Sequence, residues 1–593
     1  ERVETLRGPS ALYFGRGGTG GVVNRVTKKP ILPEYIDMVP AKGIVGGKNP
    51  GGSAGLPGGY GATNFSRVGA SLDTFGGYAG NIDFNQAVGD DAAFRLNSQY
   101  EYLENHRNNY YGDRWAVNPT FAFRVNDKTR VDLSYEYNDF ERYIDRGIPT
   151  GANGRPVSSL KSVTFGDTDL NLANFRAHIA KAAVTYDIND DWTARLHTQY
   201  GWYDKRYANT YARGYDPVTG VVTMDGYVDT TKRGTYQLSG DVVGNFFTGA
   251  LEHNVFVGAE YVHTSNDNDR FTDSFTNGNQ FNASTFAMTG GFTGTGIAGP
   301  TTMNLTTLND DRHATVDVYS VYLQDEIAIG DKVDLVLGGR YDTFDFSVAD
   351  IAGGGTNSRS DSNFSPRAGV VFKPTENISI YGSYSETFLP LNDNQYAGGN
   401  LNFDPNEFTN MEAGINVGLK ENLGLRLAVF EGELSQQQAS ATVPGTTVRV
   451  DSETTGFEAE LTGYLTDRWF VSAGYTYLDG EIVNQAGGTG LRPRELPENM
   501  FSIWNKYDVT ERLGLGLGLI YQDESFINNG NTATLPSYVR VDAAAFYKLS
   551  DKTRLQVNVE NLFDEEYFPS SHSTHQATVG APINASFSIK TEF

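Results

Sequence analysis

The sequence predicts an all-β chain that closes into an antiparallel transmembrane barrel of about 22 strands. Three observations carry that prediction. Short segments alternate apolar and polar residues at period 2, short polar turns recur at one end of these segments, and long Gly/Asn/Asp/Ser-rich connections recur at the other. Composition agrees, with 67 Gly, 34 Tyr and 35 Phe in 593 residues and no long Ala/Leu/Glu/Lys-rich stretch to sustain helices. The mean hydropathy of -0.41 and the lack of any apolar run near about 18 residues exclude a helical span. They leave a barrel open, because lumen-facing residues dilute its average. A net charge of -25 argues against a nucleic-acid partner, and with no Cys there is no disulfide, thiolate metal site or cysteine nucleophile.

Residues 1–66 read as a small separate unit ahead of a barrel over 67–593. It has strand-like runs at Arg2 to Leu6 and Gly21 to Thr27, on either side of GRGGTG, Gly15 to Gly20. That hexapeptide fits the dinucleotide fingerprint G-x-G-x-x-G, but a dinucleotide loop must open a helix, and GVVNRV is β-branched and extended. Its glycines read as turn residues between strands. The chain starts at Glu1 without Met or an apolar leader, so any signal peptide is expected outside this numbering.

The strands follow from Arg67. LGLGLGLIY sets Leu513, Leu515, Leu517, Leu519 and Tyr521 on one face and Gly514, Gly516 and Gly518 on the other, and ASFSIKTEF sets Ala585, Phe587, Ile589 and Phe593 against Ser586, Ser588, Lys590 and Glu592. Polar turns stand at Asn126, Asn189, Gly330, Thr375, Lys420, Thr466, Thr510 and Ser550, each followed at once by a new strand. Long loops are expected over 139–175, 205–234, 264–314 and 386–407. Closure follows because each unpaired backbone group in a bilayer costs several kcal/mol. A β-solenoid would show a fixed period, and the loops vary too widely for one.

The segment LRGPSALYFGRGGTGGVVNRVTKKP resembles the plug domain of TonB-dependent outer-membrane receptors of the ferric-siderophore type. YSVYLQDEIAI from Tyr319, FSPRAGVVFKPTENISIYGSYSETFLP from Phe364, FDPNEFTNMEAGI from Phe403, TTGFEAELTGYLTDRW from Thr454 and NVENLFDEEYFPSS from Asn558 resemble successive barrel segments of that family. The resemblance implies an active importer in the outer membrane of a Gram-negative cell. Such a receptor binds a ferric siderophore outside and passes it to the periplasm with energy from TonB and its inner-membrane complex. It implies no enzyme activity, cofactor or protein-bound metal, since the iron arrives already chelated. It also implies contact with outer-membrane lipids, and recognition of the terminal aromatic, Phe593, by the barrel assembly machinery. The plug appears N-terminally truncated, the half that engages TonB being expected before Glu1. Alternatives are a haem, cobalamin or other non-siderophore receptor, against which TFLPLNDNQYAGGNLNFDPNEF lacks the haem-type motifs, and a passive porin, against which the internal unit speaks. An outer-membrane hydrolase would need a nucleophile beside a base, and no such arrangement is visible.

Alternation turns Glu412, Glu458 and Glu460 inward, and buried carboxylates require partners. The resemblance puts Arg7 against Glu412 and Glu458 as a plug-to-barrel lock. Recognition of an aromatic, anionic chelate favours Tyr, Phe and Arg in the long loops, which singles out Tyr143, Arg146, Arg155, Phe388 and Tyr396. The closing loop EEYFPSSHSTHQATVGAP leans toward a catecholate ligand. His572 and His575 lack the further ligands a metal site needs.

Overall fold

The computed structural model describes residues 2–8, 21–32, 63–284, 295–296, 298–300, 303–390, 405–439, 447–484 and 489–593. Within these, 22 wall strands from Phe65–Asp73 to Asn584–Glu592 pair antiparallel into one closed barrel, with a short strand Gln280–Asn282 added beside Val221–Thr248. The last strand closes on the first, Glu592 opposite Arg67 and Ser586 opposite Asp73, and the Phe593 amide donates to the Ser66 carbonyl at 2.8 Å. Among the described residues no helix is long and apolar enough to cross a membrane.

All eight polar turns join consecutive wall strands at the end where the chain enters and leaves the barrel. Their side chains stabilise them locally. Asn189 Oδ1 accepts from the amides of Asp191 and Trp192 at 3.0 and 2.9 Å, and Thr510 Oγ1 accepts from Arg512 and Leu513 at 3.2 and 3.0 Å. The alternation sorts faces as expected: Leu515 and Leu517 are exposed outward, while Gly516 and Gly518 are buried beneath the inward Trp504 indole. A methyl group at Gly516 would stand 2.5 Å from Trp504 Cζ2, so glycine is what lets the ring lie flat on the wall.

The opposite end needs a correction. The stretch 205–234, expected as irregular loop, is a β-hairpin formed by the 25-residue strand Trp192–Asp216 and the 28-residue strand Val221–Thr248. Strand likewise occupies much of 264–314, through Leu251–Phe275 and Met303–Ile329. A tilted strand spans a bilayer in about 10 residues. Beyond that height no lipid faces the strands, and one face of the hairpin, with Ala208, Ala212, Val222 and Met224, is buried instead, largely against the neighbouring loops, so the pattern of a lipid-facing strand gives way while the backbone pairing continues.

Inside the barrel, Arg2–Arg7 and Gly21–Val26 form an antiparallel pair, Leu6 opposite Val22. The GRGGTG segment between them, Arg16 included, lies outside the described residues. The chain after Val26 is fastened to the first wall strands. Asp83 takes Arg95 through Nε and Nη2, each at 2.8 Å, and Lys28 at 2.8 Å, while Arg95 Nη1 donates to the Lys29 carbonyl at 2.9 Å. Asn85, fully buried, imitates a strand neighbour, accepting from the Ile31 amide at 3.0 Å and donating to its carbonyl at 3.2 Å. Leu32 fills a pocket against Ala93 and Ala122. Closer to the inner strands, Arg25 bonds the buried Glu136, which also receives Lys181 at 2.7 Å. Four consecutive wall strands, from Tyr78–Val88 to Thr129–Tyr143, thus hold the internal unit from one side, with Lys181 on the next strand bracing Glu136.

Candidate functional site

The loops at the far end pack against one another. Ile148, Phe165, Met224, Ile527, Leu535 and Phe568 share one apolar cluster drawn from segments far apart in sequence. Ile148 and Ala577 exchange both backbone hydrogen bonds at 2.9 Å. Gly147, at φ +84°, lies against the Ala577 carbonyl, where a Cβ would collide. The buried Arg107 binds Asp145 at 2.5 Å and also reaches the carbonyls of Lys161 and Val163. Burial holds His575 below its ordinary pKa, and burial followed by the Arg107 charge does the same for His106. Among the described residues the loops at this end therefore form a prepacked crown.

Below this crown the wall carries an aromatic and cationic surface. On Trp192–Asp216, Leu196 and Tyr200 are exposed outward, so Tyr203, Lys205, Tyr207, Asn209 and Tyr211 face inward. On Val221–Thr248, outward Tyr236 and Leu238 put Tyr227, Asp229 and Arg233 inside; on Thr129–Tyr143, outward Leu133 and Tyr135 put Phe140 and Arg142 inside. Register aligns them: Arg142 lies opposite Ala173, Ala173 opposite Tyr207, Tyr207 opposite Asp229, and Asp229 opposite Arg270. Tyr207 and Tyr227 stack at 6.0 Å, and Tyr211 meets Tyr227 edge-on at 6.2 Å. Arg146 lies 4.6 Å over the Tyr211 ring and donates through Nη1 to Asn209 Oδ1 at 2.9 Å and Tyr227 OH at 3.0 Å. Arg270 covers the Tyr227 ring at 4.6 Å and binds Asp229 at 2.6 Å. Lys205 Nζ sits 5.4 Å over Tyr207. Rings and guanidinium planes in this arrangement suit a flat, anionic, aromatic ligand. A second space, about 220 Å³ beside Lys28, Lys29, Lys181 and His197, is smaller than the roughly 300–1,000 Å³ of small-molecule sites.

Of the residues singled out in the sequence, Arg146 falls within this surface. Tyr143 and Phe388 are fully buried, Tyr143 beside Gly166 and Asn171, and Phe388 with Val262, Val318 and Phe344. Arg155 pairs with Glu524 at 3.3 Å on the exposed side of the loops, and Tyr396 lies outside the described residues. Glu412 faces inward as expected, bonded by Tyr381 OH and by Arg426 Nη2 at 2.9 Å. Glu458 stands opposite Ala428 on the neighbouring strand. Arg7 ends the inner strand opposite Gly21, and its side chain lies outside the described residues. The next residue, Gly8, abuts Asn410, two positions before Glu412 on the same strand face. Tyr207, Tyr211 and Tyr227 were missed because they sit in the stretch expected as loop. Tyrosines at 203, 207 and 211, four apart, share one strand face, and that spacing was the available sign; Tyr215, beyond the irregularity at Arg213, packs on the other face with Ala212.

The TonB dependent receptor-like β-barrel family matches residues 114–562. The chain belongs to the TonB-dependent receptors. It therefore resides in the outer membrane, crossing it with the barrel strands. It is similar to the probable TonB-dependent siderophore receptor PiuA of Acinetobacter baumannii, 28% identical over 100% of this chain and 81% of the relative. It is also similar to the metal-pseudopaline receptor CntO of Pseudomonas aeruginosa, 26% identical over 100% of this chain and 80% of that one. The crystal structure of the PiuA receptor superimposes with a TM-score of 0.83 at 26% identity, covering 100% of this chain and 86% of that chain.

Proposed function

We propose that this receptor captures a ferric siderophore on the Tyr207–Tyr211–Tyr227 surface and imports it to the periplasm with energy delivered by TonB and its inner-membrane complex. The observation that carries the reading is an inward aromatic and guanidinium wall below a prepacked crown, in a barrel whose lumen holds an anchored internal unit. Two similar receptors named for siderophore and for metal-pseudopaline support a metal chelate as the ligand class. Ring faces and guanidinium groups bind such a chelate through shape, stacking and charge, with no covalent step and no metal ligand from the protein. Ligand contact then loosens the internal unit, and outside energy moves it. The Asp83–Arg95–Lys28 and Asn85–Ile31 contacts oppose a permanently open porin. Lipids cover the outward Leu515 and Leu517 faces, and the exposed Phe593 serves as the assembly signal. The test is growth of a receptor-deficient strain expressing the full receptor on a panel of defined ferric chelates. Rescue by at least one siderophore is expected, and rescue by haem alone would refute the reading.

A further inference from the structure

The receptor carries a net charge of -25, and most cations near its mouth have a carboxylate partner. Arg107 pairs with Asp145, Arg213 with Asp225, and Arg270 with Asp229. Four do not. Among the described residues Arg142, Arg146, Lys205 and Arg233 form no ion pair, although acids outnumber bases 72 to 47 in the chain. Their recorded partners are neutral: Asn209 and Tyr227 for Arg146, Asn266 for Arg233 at 2.9 Å, and ring faces for Arg142 and Lys205. Arg142, Lys205 and Arg233 line the inward side of the same wall and Arg146 reaches it from the loop that follows Tyr143; register brings them together, Arg142 meeting Tyr207 through Ala173, Lys205 preceding Tyr207 by two residues, and Arg233 standing opposite Tyr203.

In a protein this acidic, a group of cations kept from carboxylates on one inner face creates a local positive field inside a negative shell. A half-buried guanidinium held only by neutral groups gains most from an anion that arrives with the ligand. A second site also feels this field: His572, on the crown loop above, is held below its ordinary pKa by burial and then by the charges of Arg146 and Arg494.

We infer that Arg142, Arg146, Lys205 and Arg233 are the charge-selecting residues of this receptor, and that its cargo is a ferric chelate of net negative charge. The assignment rests on the importer reading and deepens it. Stacking on Tyr207, Tyr211 and Tyr227 accepts an aromatic chelate of any charge; the four cations discriminate among them. A neutral or cationic chelate of the same size would leave them without a counter-ion and lose the gain.

The experiment measures binding by quenching of intrinsic fluorescence in the detergent-purified full receptor. The probes are a triply anionic ferric tris-catecholate, an anionic ferric hydroxycarboxylate chelate and a neutral ferric tris-hydroxamate. The wild type is expected to prefer an anionic probe by roughly tenfold or more, with the preference shrinking at high salt. Arg142→Gln and Lys205→Gln alter side chains whose recorded contacts are ring faces, and together they should erase the preference by lowering the affinity for the anionic probes more than that for the neutral one. Arg146→Lys, which keeps the charge, should retain more preference than Arg146→Gln. Arg176→Gln, on the outward face of the adjacent strand and paired with Asp139, is the control and should change nothing. Equal loss for charged and neutral probes, or no loss in the double variant, would overturn the assignment alone. A wild type that binds none of the probes would overturn the importer reading with it.

Discussion

Replacing Asp83 by alanine tests what holds the internal unit in the barrel. The carboxylate accepts three charged hydrogen bonds at 2.8 Å, two from Arg95 and one from Lys28. Lys28, about a third exposed, can turn to water, but Arg95 is only 7% exposed and would keep a single acceptor, the Lys29 carbonyl at 2.9 Å. Breaking a buried pair on one side costs about 3–5 kcal/mol. At 1.4 kcal/mol per decade, local opening of Gly21–Leu32 should rise roughly a hundredfold to several thousandfold. Hydrogen exchange by mass spectrometry reads this directly, with faster exchange expected in 21–32 and unchanged protection in wall strands such as Leu513–Gln522. Adding Arg95→Met should recover part of the protection, because no buried charge is then left alone. Unchanged exchange in 21–32, or an equal loss throughout the barrel, would refute the anchoring argument.

Gly147→Ala forces a side chain into the Ala577 carbonyl at φ +84°, a strain of about 1–3 kcal/mol or more, and should expose the 561–583 loop to protease while the barrel stays heat-modifiable on gels. Burial lowers the pKa of His106 and His575 below the ordinary 6.5, so the unfolded loops bind protons at higher pH than the folded ones. The crown's stability from these groups is therefore complete above about pH 6.5 and lost as pH falls through their folded values; loop proteolysis at pH 7.5 and 5.5 should show it, and His575→Gln should reduce the effect. Phe593→Ala should lower the amount of receptor in the outer membrane while purified protein refolds in detergent with normal heat-modifiability; equal defects in both would make the residue merely structural.

The lipid-facing strands were legible because the bilayer imposes a strict alternation: Leu515 and Leu517 against Gly516 and Gly518 leave one register possible. The short turns were legible for a local reason, since Asn189 and Thr510 bond the amides that follow them. The hairpin of Trp192–Asp216 and Val221–Thr248 was not, because above the membrane its apolar face, with the small Ala208 and Ala212 beside Val222 and Met224, packs on distant loops rather than lipid, and a bulge at Arg213 interrupts the alternation. Most of the proposed ligand surface lies on that hairpin and the strands beside it, so the sequence singled out Arg146, in the loop before them, and passed over Tyr207, Tyr211 and Tyr227. Asn85 carries no mark in sequence either; its place opposite Ile31 depends on a contact 54 residues apart.

Uptake of radiolabelled iron, supplied as a rescuing ferric siderophore to receptor-deficient cells with and without TonB, tests the central claim most directly. Accumulation with TonB, and surface binding alone without it, is the predicted result; equal accumulation in both strains would contradict an energised importer.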